Sequence, residues 1–400
     1  MQSQGQSQGQ SGGKTARLDF LDQIRGLAIL AVFLYHSLTT SFGYGYLKWN
    51  GWFHDFSERP AYLALCPLTY GTMGVAIFFV VSGICIHIAH QRSSRKDWPT
   101  FFSRRFFRIY PPYLLALLGF SFTSFVYPAH AFGAHLSHVA EAGTVSNGWQ
   151  VITHLFLLQN YNAHTLYAIN GAFWTLSVEC QLYLIYPLLL FLVRKLTWGR
   201  TLILLAVLEC TERAITTYCV NHGIVVPNWL AFSPFYFWFS WALGAAAADA
   251  FLNGRPFGLA KKSAICFTSL LVVAFFFKPL EEFTFTIEAL ATVSIVGLLL
   301  NRQTTAPGTG RGPIARAFDF IGLTSYSLYL LHQPLLYLVP HLATKLNHGQ
   351  PAHPLLNFAL CLVALGPILL LAWGYYRFVE LPSIAAGKWF IANKLKPSRG

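Results

Sequence analysis

Charge is what this chain has least of. Only 11% of its 400 residues are Asp, Glu, Lys or Arg, against roughly 25% in a soluble domain. A surface so poor in charge excludes an ordinary water-soluble globule. Acidic residues are the scarcest, 15 against 28 Lys and Arg. Recognised catalytic and phosphate-binding strings are missing too. The sequence holds no Gly-rich phosphate loop, no H-E-x-x-H and no G-x-S-x-G. None of the 7 Cys stands in a C-x-x-C pair. Most lie inside apolar runs, where Cys behaves as a small hydrophobe; only Cys66 and Cys219 have positions from which a disulfide across an oxidising face is conceivable. The outer His130, His135, His138, His154 and His164 have just the isolated Glu141 near them, so no metal site is expected.

What the chain does have is apolar bulk. It is 54% hydrophobic, with 35 Phe and a mean hydropathy of +0.47, and that points to lipid as its solvent. Apolar runs occur near 18–40, 71–90, 109–127, 174–193, 201–218, 232–251, 263–277, 283–300, 322–341 and 354–378. A span needs about 20 helical residues. The expected fold is therefore an all-α integral membrane protein, a bundle of about ten transmembrane helices. The runs at 263–277 and 283–300 are short and read either as one helical hairpin or as partly re-entrant. Residues 1–16 read as a flexible Gln/Ser/Gly tail, 17–385 as the membrane domain and 386–400 as a basic tail.

Placing both termini in the cytoplasm puts 22 of the 28 Lys and Arg on the inner side. Lys48, Arg59, Arg213, Lys278 and Lys345 fall outside, and Arg25 falls within a span. The outer stretch 128–173, read as a loop with a short interfacial helix near 151–159, has no Lys or Arg. This is the positive-inside pattern. The net charge of +13 thus reflects topology and contact with membrane lipid or a polyanionic cofactor, with no nucleic-acid partner. A homo-oligomeric state is left open.

Ionisable residues inside spans are functional candidates by default. The first span carries Asp22, Arg25 and His36. Arg25 and His36 are eleven residues apart, which puts them on one face, separated by about 16 Å. Asp22 and Arg25 also have the spacing of a helical ion pair. The fourth span opens at Trp174 and carries Glu179 and Tyr183. Glu179 lies about 7 Å from its outer end, level with His36 by that count. A His beside a carboxylate in a dry site is a general base. Arg105 and Arg108 lie one turn apart at the cytoplasmic mouth, suited to a phosphate or to anchoring alone. His332, two residues before Pro334, either lines the same cavity or stabilises the bend.

Six segments in order resemble the acyltransferase-3 family of membrane O-acyltransferases. They are Leu21-Asp22-Gln23-Ile24-Arg25-Gly26 with Tyr35-His36, Gly74 to Gly83, Arg105-Phe106-Phe107-Arg108, Trp174 to Tyr183, Ser325 to Pro334, and Glu380-Leu381-Pro382. The resemblance implies a ten-helix bundle in a bacterial inner membrane. It implies acyl-CoA as cosubstrate, usually acetyl-CoA, and a carbohydrate or lipid-linked sugar as acceptor. His36 takes the base role, assisted by Glu179, with Arg25 at the donor or active site. Arg105 and Arg108 hold the CoA. Asp22, Trp174, Tyr183 and His332 complete the candidate pocket. Ala76 and Cys180 depart from the family pattern, and neither removes a proposed catalytic group. The rival class is a proton-coupled transporter or flippase of an anionic or glycolipid solute.

Overall fold

A computed structural model of the chain describes Leu18, Leu65 and residues 20–43, 67–126, 147–257, 261–303 and 312–395. The 1–16 tail, Asp19, Lys48, Arg59, Cys66, the outer His130, His135, His138 and Glu141, and the basic residues Arg311, Lys396 and Arg399 lie outside them. Among the described residues every regular element is helical.

The helices are α1 Phe20–Phe42, α2 Gly71–Gln91, α3 Trp98–Val126, α4 Gly148–Leu155, α5 Phe173–Asn221, α6 Trp238–Leu252, α7 Lys261–Phe276, α8 Thr284–Gln303, α9 Pro313–Leu323, α10 Ser325–Leu346, α11 Pro354–Tyr375 and α12 Leu381–Asn393. By length and composition alone, 6 helical stretches among the described residues are able to cross a membrane. α5 counts as one of these but contains two runs, because Thr197 (φ 76°, ψ 163°) breaks its helical geometry between Lys195 and Arg200. The two expected spans at 174–193 and 201–218 are its two arms. The short runs at 263–277 and 283–300 form α7 and α8, joined by a 3₁₀ turn at Lys278–Phe283. The expected interfacial helix is α4, a little earlier than its sequence placement. The boundary drawn at residue 386 falls inside α12, whose last turns are held by Arg95 through the Ile391 carbonyl (2.9 Å).

α1 is the central element. It packs against α2, α9, α10 and α11, and Ala28, Ile29, Val32, Phe33, Tyr35 and Leu38 along it are buried. The opposite condition holds on the periphery. Ile203, Val207 and Ile215 of α5 and Val363, Leu370 and Leu371 of α11 are exposed, as hydrocarbon-facing positions should be. Inside, close approach replaces the hydrophobic effect as the source of helix association. A Cβ on Gly83 of α2 would strike the Trp241 carbonyl of α6, and one on Gly244 of α6 would strike the Val80 carbonyl of α2.

Prolines inside helices leave the carbonyl four residues earlier without its N–H. In lipid that carbonyl needs a replacement donor. Pro111 frees the Phe107 carbonyl, and the Ser383 hydroxyl donates to it. Pro334 frees the Leu330 carbonyl, and the Asn170 side-chain amide donates to it at 3.0 Å.

Arg213, counted to the outer side, lies within the 201–218 run itself. It is 2% exposed inside the second arm of α5, paired with the fully buried Glu209 at 3.2 Å. The charge is met there by a carboxylate, two carbonyls and an aromatic face, an arrangement that positive-inside counting does not detect.

Candidate functional site

Residues from five helices line one cleft: Arg25 of α1, Ser82 of α2, Arg108 of α3, Thr175, Glu179 and Tyr183 of α5, and Ser325, Tyr326 and Tyr329 of α10. Apolar walls come from Val75, Phe78, Phe79, Ile109 and Leu176. Arg25 keeps the i,i+3 contact with Asp22 that its spacing predicts, at 3.6 Å. A directional chain crosses the cleft from α6. The Trp241 indole N–H donates to the Ser82 hydroxyl (3.3 Å), Ser82 pairs with the Tyr183 hydroxyl (2.9 Å), and Tyr183 donates to the Glu179 carboxylate. Tyr183 and Glu179 are one turn apart, so the same α5 face that presents the carboxylate also presents its donor.

His36 is 5% exposed, and its Nδ1 lies 3.0 Å from Nε2 of the fully buried His332. The two rings are 5.0 Å apart between centroids. His332 turns its other nitrogen, Nδ1, to the Tyr329 carbonyl one turn earlier on α10, at 2.9 Å. Tyr329 links the two parts of the site. Its ring lines the cleft, its carbonyl holds His332, and its hydroxyl is fixed by the Ala172 carbonyl (3.0 Å) and Thr175 (2.6 Å).

Glu179 and His36 fall level by residue counting, yet no hydrogen bond joins them. Glu179 bonds to Tyr183, and His332 stands beside His36 instead. Rise per residue gives depth along an axis. Which neighbour meets a side chain depends on the rotation and tilt of both helices, and spacing within one helix carries no such information. Trp174 is buried among Phe232 (5.2 Å) and Phe237 (5.8 Å) and does not line the cleft. Arg105 also lies off the lining, its guanidinium 4.9 Å above the Phe101 ring. Its Nε is buried without a hydrogen-bond partner among the described residues.

Sequence assigns no role to two further parts of the site: Glu380, which opens the last resembling segment, and the polar segment after α4. Glu380, 1% exposed, accepts from Ser327 (2.8 Å) and has Arg108 and Arg25 as its cationic neighbours. It ends a π-helical turn, Tyr376–Glu380, a feature that often marks functional positions. The segment after α4 reaches into the bundle. Gln181 of α5 donates to the carbonyl of Leu157 (3.0 Å) and to Asn160 (2.9 Å), while Tyr110 and Tyr113 of α3 hold the Leu155 and His154 carbonyls, both at 2.9 Å. Leu157 (φ 55°) and Ile169 (φ 64°) adopt left-handed backbone there. For a β-branched residue such as Ile169 that conformation is strained, and surrounding bonds must enforce it. Among the described residues no group of three or more His, Cys, Asp and Glu is placed to hold a metal.

The family model described as an acyltransferase domain, acyltransferase-3, matches residues 18–377, and the chain belongs to this family. Acyltransferase MdmB of Streptomyces mycarofaciens is 29% identical over 190 residues, 46% of this chain and 42% of that protein. The O-acetyltransferase OatA of Staphylococcus aureus is 24% identical over 389 residues, 90% of this chain and 56% of that protein. The peptidoglycan O-acetyltransferase OatA of Listeria monocytogenes is 22% identical over 400 residues, 90% and 55% respectively. The chain spans about half the length of the curated relatives it matches. No solved structure matches it.

Proposed function

We propose that the protein is a membrane O-acyltransferase that moves an acyl group, acetyl by analogy with the OatA relatives, from acyl-CoA to a sugar hydroxyl of a surface polysaccharide or glycolipid. It works in the bacterial inner membrane, as a ten-span bundle with both termini in the cytoplasm. The observation that carries this reading is the buried His36–His332 pair, joined through Tyr329 to a cleft that holds Arg25 and Arg108.

The donor's chemistry fits the cleft residues. A CoA phosphate suits Arg108, which is exposed at the rim, and the partnerless Nε of Arg105 offers a further donor. The apolar walls and Arg25 take the pantetheine arm. Aligned in this way, the donor brings its thioester toward Tyr329 and the histidine pair. His36 takes the proton as the acceptor O–H bond breaks. The oxygen bonds to the thioester carbonyl carbon, and the C–S bond then breaks. CoA leaves as the thiolate and recovers the proton from His36, so the reaction has no net proton change. Glu179 stays on the cleft side, where Tyr183 and the Ser82–Trp241 chain fix its direction.

The test is purified full-length protein with radiolabelled acetyl-CoA and a pool of extracted surface glycans. His36→Ala is expected to lose at least about 100-fold in transfer, the usual worth of a general base, while retaining acetyl-CoA binding. Wild-type turnover in His36→Ala would remove His36 as the base. Label that never becomes covalently attached to glycan would remove the transferase reading.

A further inference from the structure

The hydrogen positions in the histidine pair follow from one fixed point. The Tyr329 carbonyl only accepts, so the His332 Nδ1 that lies 2.9 Å from it carries a hydrogen. In a neutral imidazole the other nitrogen then holds the lone pair, and for His332 that is Nε2. His36 Nδ1 is 3.0 Å away, so the hydrogen shared between the rings belongs to His36. The lone pair of a neutral His36 is thereby placed on Nε2.

We propose that His332 is a positioning residue that holds His36 as the Nδ1–H tautomer, so that Nε2 is the atom that receives the acceptor's proton. The inference rests on the reading of His36 as the base and adds which of its atoms acts and what sets it. The anchor is rigid for a structural reason. Tyr329 is fixed through its hydroxyl to Ala172 and Thr175, and the next carbonyl, Leu330, is held by Asn170 where Pro334 withdraws its N–H. When Nε2 is protonated, His36 still donates through Nδ1 to His332, so the pair does not rearrange during the reaction. A base with a fixed tautomer presents its lone pair in one direction, and loss of that restraint lowers turnover more than donor binding.

Three substitutions at one position separate this role from packing. Glutamine extends an amide oxygen to about where Nε2 lies and accepts from His36 Nδ1–H. Asparagine is polar but too short to reach. Leucine fills the space without an acceptor. With labelled acetyl-CoA and the extracted glycan pool, His332→Gln is expected to keep kcat within about tenfold of wild type. His332→Asn and His332→Leu are expected to fall by about 100-fold or more, with KM for acetyl-CoA unchanged within about twofold. Equal rates in the Gln and Leu enzymes, whether high or low, overturn the proposal, as does a loss expressed in KM alone. Asparagine covers the case in which Leu fails to fold: Asn turnover equal to that of Gln also overturns it. His36→Ala, run alongside, tells the two failures apart. If it is active the base assignment falls; if it is inactive while His332→Leu is active, only the positioning role falls.

Discussion

Removing Glu209 is the perturbation whose cost the structure states in most detail. Glu209 is fully buried and Arg213 is 2% exposed. The carboxylate accepts from Arg213 Nη2 (3.2 Å), the Ser240 hydroxyl (2.7 Å), the Ser240 N–H (3.1 Å) and the Thr286 hydroxyl (2.6 Å). The guanidinium donates in turn to the carbonyls of Glu282 (2.6 Å) and Tyr236 (3.0 Å), and lies 4.3 Å over the Tyr236 ring. Glu209→Ala strands a buried cation, which costs about 3–5 kcal/mol, and strips the acceptor from Ser240 and Thr286, so the upper end of that range is expected. Arg213→Met leaves a carboxylate that still has three donors, and about 2–3 kcal/mol is expected. The double variant removes both charges together and should cost about 4 kcal/mol, well below the sum of the singles. The assay is equilibrium unfolding of the purified protein in mixed micelles, titrated with SDS and followed by tryptophan fluorescence. Additive single costs, or a Glu209→Ala protein within about 1 kcal/mol of wild type, would refute the argument that the buried carboxylate is what makes the buried guanidinium tolerable.

Asn170→Leu deletes the donor to the Leu330 carbonyl at the Pro334 break and should destabilise by about 1–3 kcal/mol, with a fall in transfer rate because the same turn presents the Tyr329 carbonyl; thermal unfolding and the labelled-acetyl assay read the two effects. Gly244→Val drives a side chain into the Val80 carbonyl and should abolish the monodisperse peak in gel filtration. Gly366→Ala on α11 meets nothing within 4 Å and should leave that peak unchanged or raise the melting point, by up to about 1 kcal/mol of helix propensity.

Most of the helices were legible because lipid leaves them no alternative. Hydrophobic length is a one-dimensional signal, and it located both arms of α5 and the paired runs α7 and α8. The ion pair of Asp22 and Arg25 was legible for the same reason, being internal to one helix. The partner of His36 was not, since it depends on how α1 and α10 are rotated against each other over 296 residues of separation. The burial of Arg213 was not legible because a count of basic residues by side treats every arginine as a solvated anchor, and this one has its own buried acid one turn away. The polar segment after α4 gave a composition that reads as an ordinary loop. Its Gln159, Asn160 and Asn170 are buried, and what they satisfy are backbone groups on other elements.

That last observation bears on why a base can sit in this part of the bundle. A carbonyl has two lone pairs, so one already bonded within its helix can also orient an imidazole, as Gln150 does for His154 at 2.7 Å. α10 contains Pro334 and Pro340, and at Pro334 the Leu330 carbonyl is released and taken up by Asn170 from outside the helix. The carbonyl one residue earlier, Tyr329, accepts from His332 at 2.9 Å, beside that externally fixed turn. The strained backbone at Ile169 places Asn170 where it can act. The proline opens the backbone, the insert closes it from another direction, and the Tyr329 carbonyl beside that fixed turn orients His332 and, through it, His36.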